Sequence, residues 1–400
     1  MPASPCSPGQ IAKIQKTYAK TKSTRETARI LRCSENTVNK YRDGATDPVK
    51  AAEERAELAR ELSRERELLR DVAGEKSFRS FLSDLIAKNV PPLPVQKPSK
   101  PLKVAGNCTL RYPLLSLNDW HFEEVVKSES VLGLNEYSIP IACRRVSRVI
   151  RACVDWKRDI EAGGRFRIPE LTVALNGDFL TGTLHGLEKH SSAPNVVRAT
   201  LACGQLIALA LRDLAAEFQV VRVIGTVGNH GRLPDQKKVP TKDPTRSFDY
   251  LAYGVARAIL GNYSGIEWTL PEAYGVLYDV AGHQVYQAHG NFIPQSLGIV
   301  GYGVRRFTSA LAANLSAAGK PLRYALFGHW HQSNSSEFAG VTTFISPSLI
   351  GTQEYGFLSG GQVNRAAQLL LVFDKDLGHT GTEVLYGDGP GDCGSYALAV

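Results

Sequence analysis

Five short blocks rich in Asp, Asn and His punctuate residues 119–331 of the chain, each following an apolar run. They are Asp119-Trp120-His121, Asn176-Gly177-Asp178, Gly228-Asn229-His230, His289-Gly290-Asn291 and Gly328-His329-Trp330-His331. The blocks hold five of the nine histidines, and His185 stands close behind Asp178. Imidazole and oxygen donors without thiolates suit Mn²⁺, Fe or Zn²⁺ better than Cu⁺, and better than Mg²⁺ alone, which rarely takes so many imidazoles. The seven cysteines are scattered and form no CxxC pair, so no thiolate zinc site or disulfide framework is indicated. His190, His283 and His379 lie outside the blocks and read as packing or surface residues.

The apolar runs before the blocks read as strands: Tyr112–Leu117, Leu171–Leu175, Val220–Thr226, Gln284–Ala288 and Tyr324–Phe327. Further strands are expected at Val276–Val280, Thr342–Ile345 and Leu369–Phe373, and helices near 138–162, 193–218 and 245–260. Strands alternating with amphipathic helices predict an α/β domain with mixed sheets. Open α/β sheets gather their ligands at the carboxyl ends of strands, where these blocks fall. The glycines beside them let the backbone turn sharply and keep the approach to a metal or phosphate clear.

The ordered set D-x-H, G-D, G-N-H, H and G-H-x-H resembles the calcineurin-like metallophosphoesterase superfamily over roughly residues 111–350. The wording around the blocks (NDWHFEEVV, NGDFLTGTLHGLE, VGNHGR, FGHWHQ, SLIGTQEYG) is similar to phage and prophage phosphoesterases in particular. The resemblance implies a sandwich of two mixed β-sheets flanked by helices and a centre of two divalent ions, Mn²⁺ foremost, with Fe or Zn²⁺ as the other candidates. Asp119, His121, Asp178 and His331 would hold the first ion; Asp178, Asn229, His289 and His329 would hold the second. Asp178 would bridge them, having two carboxylate oxygens. His230 takes the family position of the general acid. The residue after it is Gly231, where the family often has Asp or Glu to orient the imidazole, so another group must do so. Arg232 and His185 are candidate contacts for a substrate phosphate.

The formal charge of +8 is unevenly placed. Residues 1–103 hold 21 Lys and Arg against 13 Asp and Glu, and the remaining residues balance at zero. Residues 8–48 read as three short helices, with Ser23 or Thr24 and Ser34 as caps. Ile11, Ile14, Tyr18 and Ala19 make a face of the first helix, and Ile30, Leu31, Val38 and Tyr41 surround the last turn. This pattern resembles the helix-turn-helix of homeodomain-like resolvase and transposase arms, which implies a DNA-binding domain over 1–48. Asn36, Thr37, Asn39, Lys40 and Arg42 are the candidate DNA contacts. Residues 49–103 follow as a charged helical and Pro-rich linker, and its 50–75 stretch could form a homo-oligomer. The catalytic domain is expected over 104–390, with a loose Gly-rich tail over 391–400.

A composition of 43% hydrophobic and 22% charged residues excludes a wholly disordered chain, a collagen-like fibre and a long coiled coil. The N-terminal residues show no signal-peptide pattern and no apolar run suggests a membrane span, so the expected location is the cytoplasm, that of a bacterial host if a phage encodes the chain. The expected function is a binuclear-metal phosphodiesterase acting on DNA, a nuclease targeted by its N-terminal arm. Two alternatives stay open at this level: a protein-phosphatase-like phosphomonoesterase, and a phage DNA-binding or assembly protein with a structural phosphoesterase domain.

Overall fold

The structure, a computed structural model, describes residues 6–42, 108–182, 195–232, 243–261, 263–294, 299–390 and 394–398. Residues 6–42 and residues from 108 onward belong to separate compact units. The linker of 49–103, with its 50–75 stretch, and His185 and His190 lie outside the described residues.

The described residues of the first unit form α1 (Pro8–Thr21), α2 (Thr24–Leu31) and α3 (Glu35–Tyr41). Each begins on a serine whose side chain meets an orphan backbone N–H, from Ser7 to Gln10, Ser23 to Glu26 and Ser34 to Thr37. Gln10 returns the favour to the Ser7 backbone, completing a capping box behind Pro8. Ile14, Ala28, Val38 and Tyr41 make the core, with Ile11, Tyr18 and Leu31 packed on it. Ile30, expected near that core, is 51% exposed, because α2 turns Thr27 and Ala28 inward instead. Ala19 is likewise exposed.

The second unit is a layered α/β fold. Its larger sheet has six strands in the order β13-β12-β2-β4-β5-β6. These are β2 (Tyr112–Leu117), β4 (Glu170–Asn176), β5 (Val220–Thr226), β6 (Ile266–Thr269), β12 (Ala367–Asp374) and β13 (Gly378–Tyr386). The run β2-β4-β5-β6 is parallel; β12 and β13 join antiparallel. The smaller sheet has the order β10-β11-β9-β8-β7, from β7 (Gly275–Val280), β8 (His283–Ala288), β9 (Tyr324–Phe327), β10 (Asn334–Phe338) and β11 (Val341–Ile345). Here β8, β9 and β11 run parallel. A short parallel pair, β1 (Thr109–Leu110) and β3 (Phe166–Arg167), stands apart.

Three apolar layers hold this unit together. Leu114, Ala174, Ile224, Val280, Val285, Leu326, Phe344 and Leu371 come from both sheets and fill the space between them. Outside the larger sheet lie α4 (Ile139–Ala162), α5 (Val196–Glu217) and α6 (Phe248–Leu260). Outside the smaller sheet lies α7 (Val300–Ala317), through Val304, Phe307 and Leu311. The expected mixed-sheet sandwich flanked by helices is therefore the fold. By length and composition α5 is apolar enough to cross a membrane, and here it is mostly buried inside the domain, as an all-round apolar core helix must be.

Residues 394–398 of the Gly-rich tail are held against the domain, contrary to the loose tail expected from composition. Tyr396 and Leu398 pack on the main core, and the Tyr396 hydroxyl donates to Asp213 Oδ2 at 2.9 Å.

Candidate metal centre

The five blocks sit at the carboxyl ends of five parallel strands. Asp119 and His121 follow β2, Asp178 follows β4, and Asn229 and His230 follow β5, all neighbours in the larger sheet. His289 follows β8 and His329 and His331 follow β9, neighbours in the smaller sheet. The two edges are tied together beneath the site. Gln287 is fully buried, and its amide donates to Leu175 O, Ile224 O and Thr226 Oγ1 across the sandwich. Two residues later, His289 Nδ1 donates to Asn176 O at 2.8 Å.

Convergence needs a contorted backbone. Asp119, His121, Asp178, His329 and His331 all adopt positive φ, between 45° and 71°. Left-handed geometry costs a non-glycine residue on the order of 1 kcal/mol or more, though Asp and His tolerate it better than most. It resolves the geometry of the D-x-H and H-x-H pairs: alternate residues of an extended strand would also share a face, but these turns aim both members into one pocket. Gly177 and Gly228 make the second condition. A Cβ on Gly177 would overlap the Gly228 backbone, and a Cβ on Gly228 would overlap the Asp178 carboxylate. The two ligand loops can approach only because both residues are glycine.

Two ligand groups result. Ligand atoms of Asp119, His121 and His331 lie within 4.8 Å of one another, and so do those of Asp178, His289 and His329. His121, Asp178 and His230 form a third, overlapping set. Asp178 Oδ2 is 2.8 Å from His289 Nε2, and Asp178 Oδ1 accepts the backbone N–H of His230 at 2.7 Å. Asp119 Oδ1 is 3.2 Å from His331 Nε2, while Asp119 Oδ2 accepts from the His329 backbone at 3.0 Å.

The donor atoms themselves test whether cations fit. Asp119 Oδ1, His121 Nε2 and Asn229 Oδ1 are buried with no hydrogen-bond partner. A buried lone pair without a formed hydrogen bond is costly, and Asp119 and His121, which carry two of these atoms, belong to one ligand group that suits a cation. The electrostatics agree. Burial alone would lift the Asp119 pKa, but His331 and His289 overcome it and hold the carboxyl at about 2. Asp178 is held well below its usual value, against burial, chiefly by His289 and His230. Burial would lower His289, and Asp178 and Asp119 instead raise it to about 10. Burial and the neighbouring His289 drive His329 down to about 3, and burial with His230 and His331 lowers His121 far below normal.

His230 presents a different arrangement. Its ring stands edge-on to His121 at 4.7 Å between centroids. Its Nδ1 lies 3.3 Å from the Thr181 carbonyl oxygen, which can only accept, so Nδ1 carries the proton. A backbone carbonyl thus takes the orienting part that a following Asp or Glu would play. Burial lowers the His230 pKa, against a raising influence from Asp178. Arg232 is half-buried beside it, with Nε donating to Asn229 O at 2.8 Å.

Several residues that support these groups carry no motif. Asp249, in the first turn of α6, accepts the N–H groups of Asp178, Phe179 and Leu180 from one ligand loop and of Gly228 from the other. Glu123 accepts from Thr181 N and Gly182 N. Glu124 Oε2 accepts from Thr181 Oγ1 at 3.0 Å and from Gln353 Nε2 at 2.9 Å. The pair Glu123-Glu124 directly behind Asp-x-His was the one visible signal: two buried acids in an apolar stretch need partners.

The five candidate DNA contacts fare unequally. Asn36 and Lys40 are exposed on α3. Thr37 Oγ1 pairs with Ser34 Oγ in the helix cap, and Asn39 Oδ1 accepts from Thr24 Oγ1. Arg42 folds back over the Tyr18 ring, with Nη1 reaching Tyr18 Oη and Thr24 Oγ1.

No protein-family profile matches the chain, and neither does any curated protein. Among solved structures, a predicted phosphoesterase from Streptococcus pneumoniae aligns at 8% identity and a TM-score of 0.27, covering 69% of this chain and 98% of that one. A novel archaeal phosphodiesterase aligns at 11% and 0.30, covering 68% and 99%. Vps29 from Entamoeba histolytica, solved with zinc, aligns at 11% and 0.29, covering 69% and 99%. Likeness at these scores carries no argument about activity.

Proposed function

We propose that the chain is a metal-dependent phosphoesterase with a binuclear divalent centre, acting as a phosphodiesterase on DNA that its N-terminal helices engage. The observation that carries the reading is the convergence of Asp119, His121, Asp178, His230, His289, His329 and His331, from five strand ends, on overlapping donor groups, with His121 Nε2 buried and unpartnered among them. Asp119, His121 and His331 would hold one ion, Asn229, His289 and His329 the other, and Asp178 both. Two divalent ions supply a nucleophile from water at neutral pH and offset charge on the phosphoryl oxygens. The imidazole and oxygen donor set is compatible with Mn²⁺, Fe or Zn²⁺, and we take Mn²⁺ as the first candidate.

The protein groups divide the remaining work. His230, oriented through Nδ1 by Thr181 O, would deliver a proton from Nε2 to the leaving oxygen. Arg232, fixed through Nε, has its terminal nitrogens to offer a substrate phosphate. The DNA part rests on charge. Residues 6–42 carry nine Lys and Arg against two Glu, and all but Arg42 of those cations are exposed. A surplus concentrated in those residues is not required by the chemistry, since bound cations bring their own charge to the phosphate site.

The test is a substrate panel with the purified full chain and Mn²⁺: duplex and single-stranded DNA, RNA, a small phosphodiester and a small phosphomonoester. Cleavage of DNA and the small diester supports the reading. Brisk monoester hydrolysis with every nucleic acid intact overturns the DNA part and leaves a phosphomonoesterase.

A further inference from the structure

We propose that Thr181 is a positioning residue that sets the proton on both histidines flanking it, His121 through its hydroxyl and His230 through its carbonyl. The inference deepens the proposed metal centre and rests on that reading. Thr181 is buried at the end of the β4 ligand loop, three residues beyond Asp178.

Gln353 Nε2 can only donate, and it does so to Glu124 Oε2 at 2.9 Å. With Glu124 as the carboxylate, that same oxygen can only accept; it stands 3.0 Å from Thr181 Oγ1, so the threonine's single hydroxyl proton goes to Glu124. Thr181 Oγ1 is then left as an acceptor toward His121 Nδ1 at 3.1 Å. His121 must carry its proton on Nδ1. Its Nε2 becomes the bare nitrogen, and Nε2 is the buried atom without a partner that faces Asp119 and His331. The Thr181 carbonyl imposes the same tautomer on His230, 3.3 Å from Nδ1.

The backbone N–H of Thr181 is itself fixed, donating to Glu123 Oε2 at 3.1 Å. Glu123 and Glu124 together therefore clamp Thr181 from both ends. One residue couples the orientation of a metal-binding imidazole to that of the acid beside it. Partners of this kind hold ligand histidines in the tautomer a metal needs.

Two substitutions separate the hydroxyl from the carbonyl. Thr181→Val keeps the shape and the carbonyl but removes Oγ1; Thr181→Ser restores the hydroxyl. In the metal-free full-length protein, ¹⁵N NMR of the histidine rings should place the proton on Nδ1 of both His121 and His230. In Thr181→Val, His121 should move toward a mixture of tautomers while His230 stays. In a Mn²⁺ titration followed by calorimetry, Thr181→Val should bind one of the two ions about 10- to 100-fold more weakly. Thr181→Ser should match the wild type in both measurements. An Nε2–H on His121 in the wild-type protein overturns the proposal whatever the variants do. So does a Thr181→Val protein with unchanged tautomers and both affinities intact, or a Thr181→Ser protein that behaves like Thr181→Val. If the wild type binds no divalent ion, the metal-centre reading fails, and the NMR measurement still decides the assignment to Thr181.

Discussion

Asp249 accepts the backbone N–H of Asp178 on Oδ2 at 3.0 Å, from 71 residues along the chain. The same oxygen takes the Gly228 N–H at 2.9 Å, so one carboxylate staples the β4 and β5 ligand loops from below. Asp249→Ala would strand buried donors in both loops. The expected loss is about 3 kcal/mol or more of unfolding free energy, with metal stoichiometry falling below two. Asp249→Asn retains one acceptor oxygen and should fall between. Urea denaturation with metal analysis checks both; an Asp249→Ala protein within about 0.5 kcal/mol of wild type contradicts the staple.

Metal uptake should release protons. His289 is raised to about 10 and so is protonated at neutral pH without metal, whereas His329, at about 3, is already neutral. A cation must displace the His289 proton. Apparent affinity therefore rises with pH below about 10, by roughly tenfold per unit for one proton released. Calorimetry at pH 7 in buffers of different ionisation enthalpy should report about one proton released per chain on this account. Affinity independent of pH between 6 and 8 would contradict it.

Removing His230 and removing Asp178 should have different consequences. His230→Ala deletes the imidazole but keeps the backbone N–H on which Asp178 Oδ1 depends. It should retain both ions and lose about 10²- to 10⁴-fold in kcat. Asp178→Ala should lose the ions themselves. Equal metal loss in both proteins would refute the separation of roles.

In the N-terminal unit, Lys40 and Arg42 should behave differently although both were candidate DNA contacts. Lys40→Ala should lower DNA affinity and flatten the slope of log K against log salt by about 0.9, with at most a small stability loss from the Lys40 ammonium over the Tyr41 ring at 5.3 Å. Arg42→Ala should lower stability as well, because Arg42 packs over Tyr18. A Lys40→Ala protein with the wild-type salt slope would remove Lys40 from the interface.

The sequence made the ligands legible because each donor block follows a strand whose apolar run is unmistakable, as Leu171–Leu175 precedes Asp178. It hid the elements whose side chains give no pattern. β10 is polar and lies at a sheet edge, β13 carries glycines at 378 and 381, and α7 opens on Val-Gly-Tyr-Gly without a side-chain cap. The supporting shell was invisible for another reason. Asp249 and Gln353 reach the site across long chain separations, and an acid in a helix's first turn reads as an ordinary dipole partner. Nor could spacing reveal the left-handed backbone at Asp119 and His121, which decides that both side chains meet one partner.

The most direct test of the central claim is cleavage of duplex DNA by the purified full chain, compared before and after a chelator strips its metals. The account predicts hydrolysis that needs Mn²⁺, vanishes on stripping and returns when Mn²⁺ is restored. A protein that carries two ions per chain and leaves DNA and small phosphodiesters intact would contradict it.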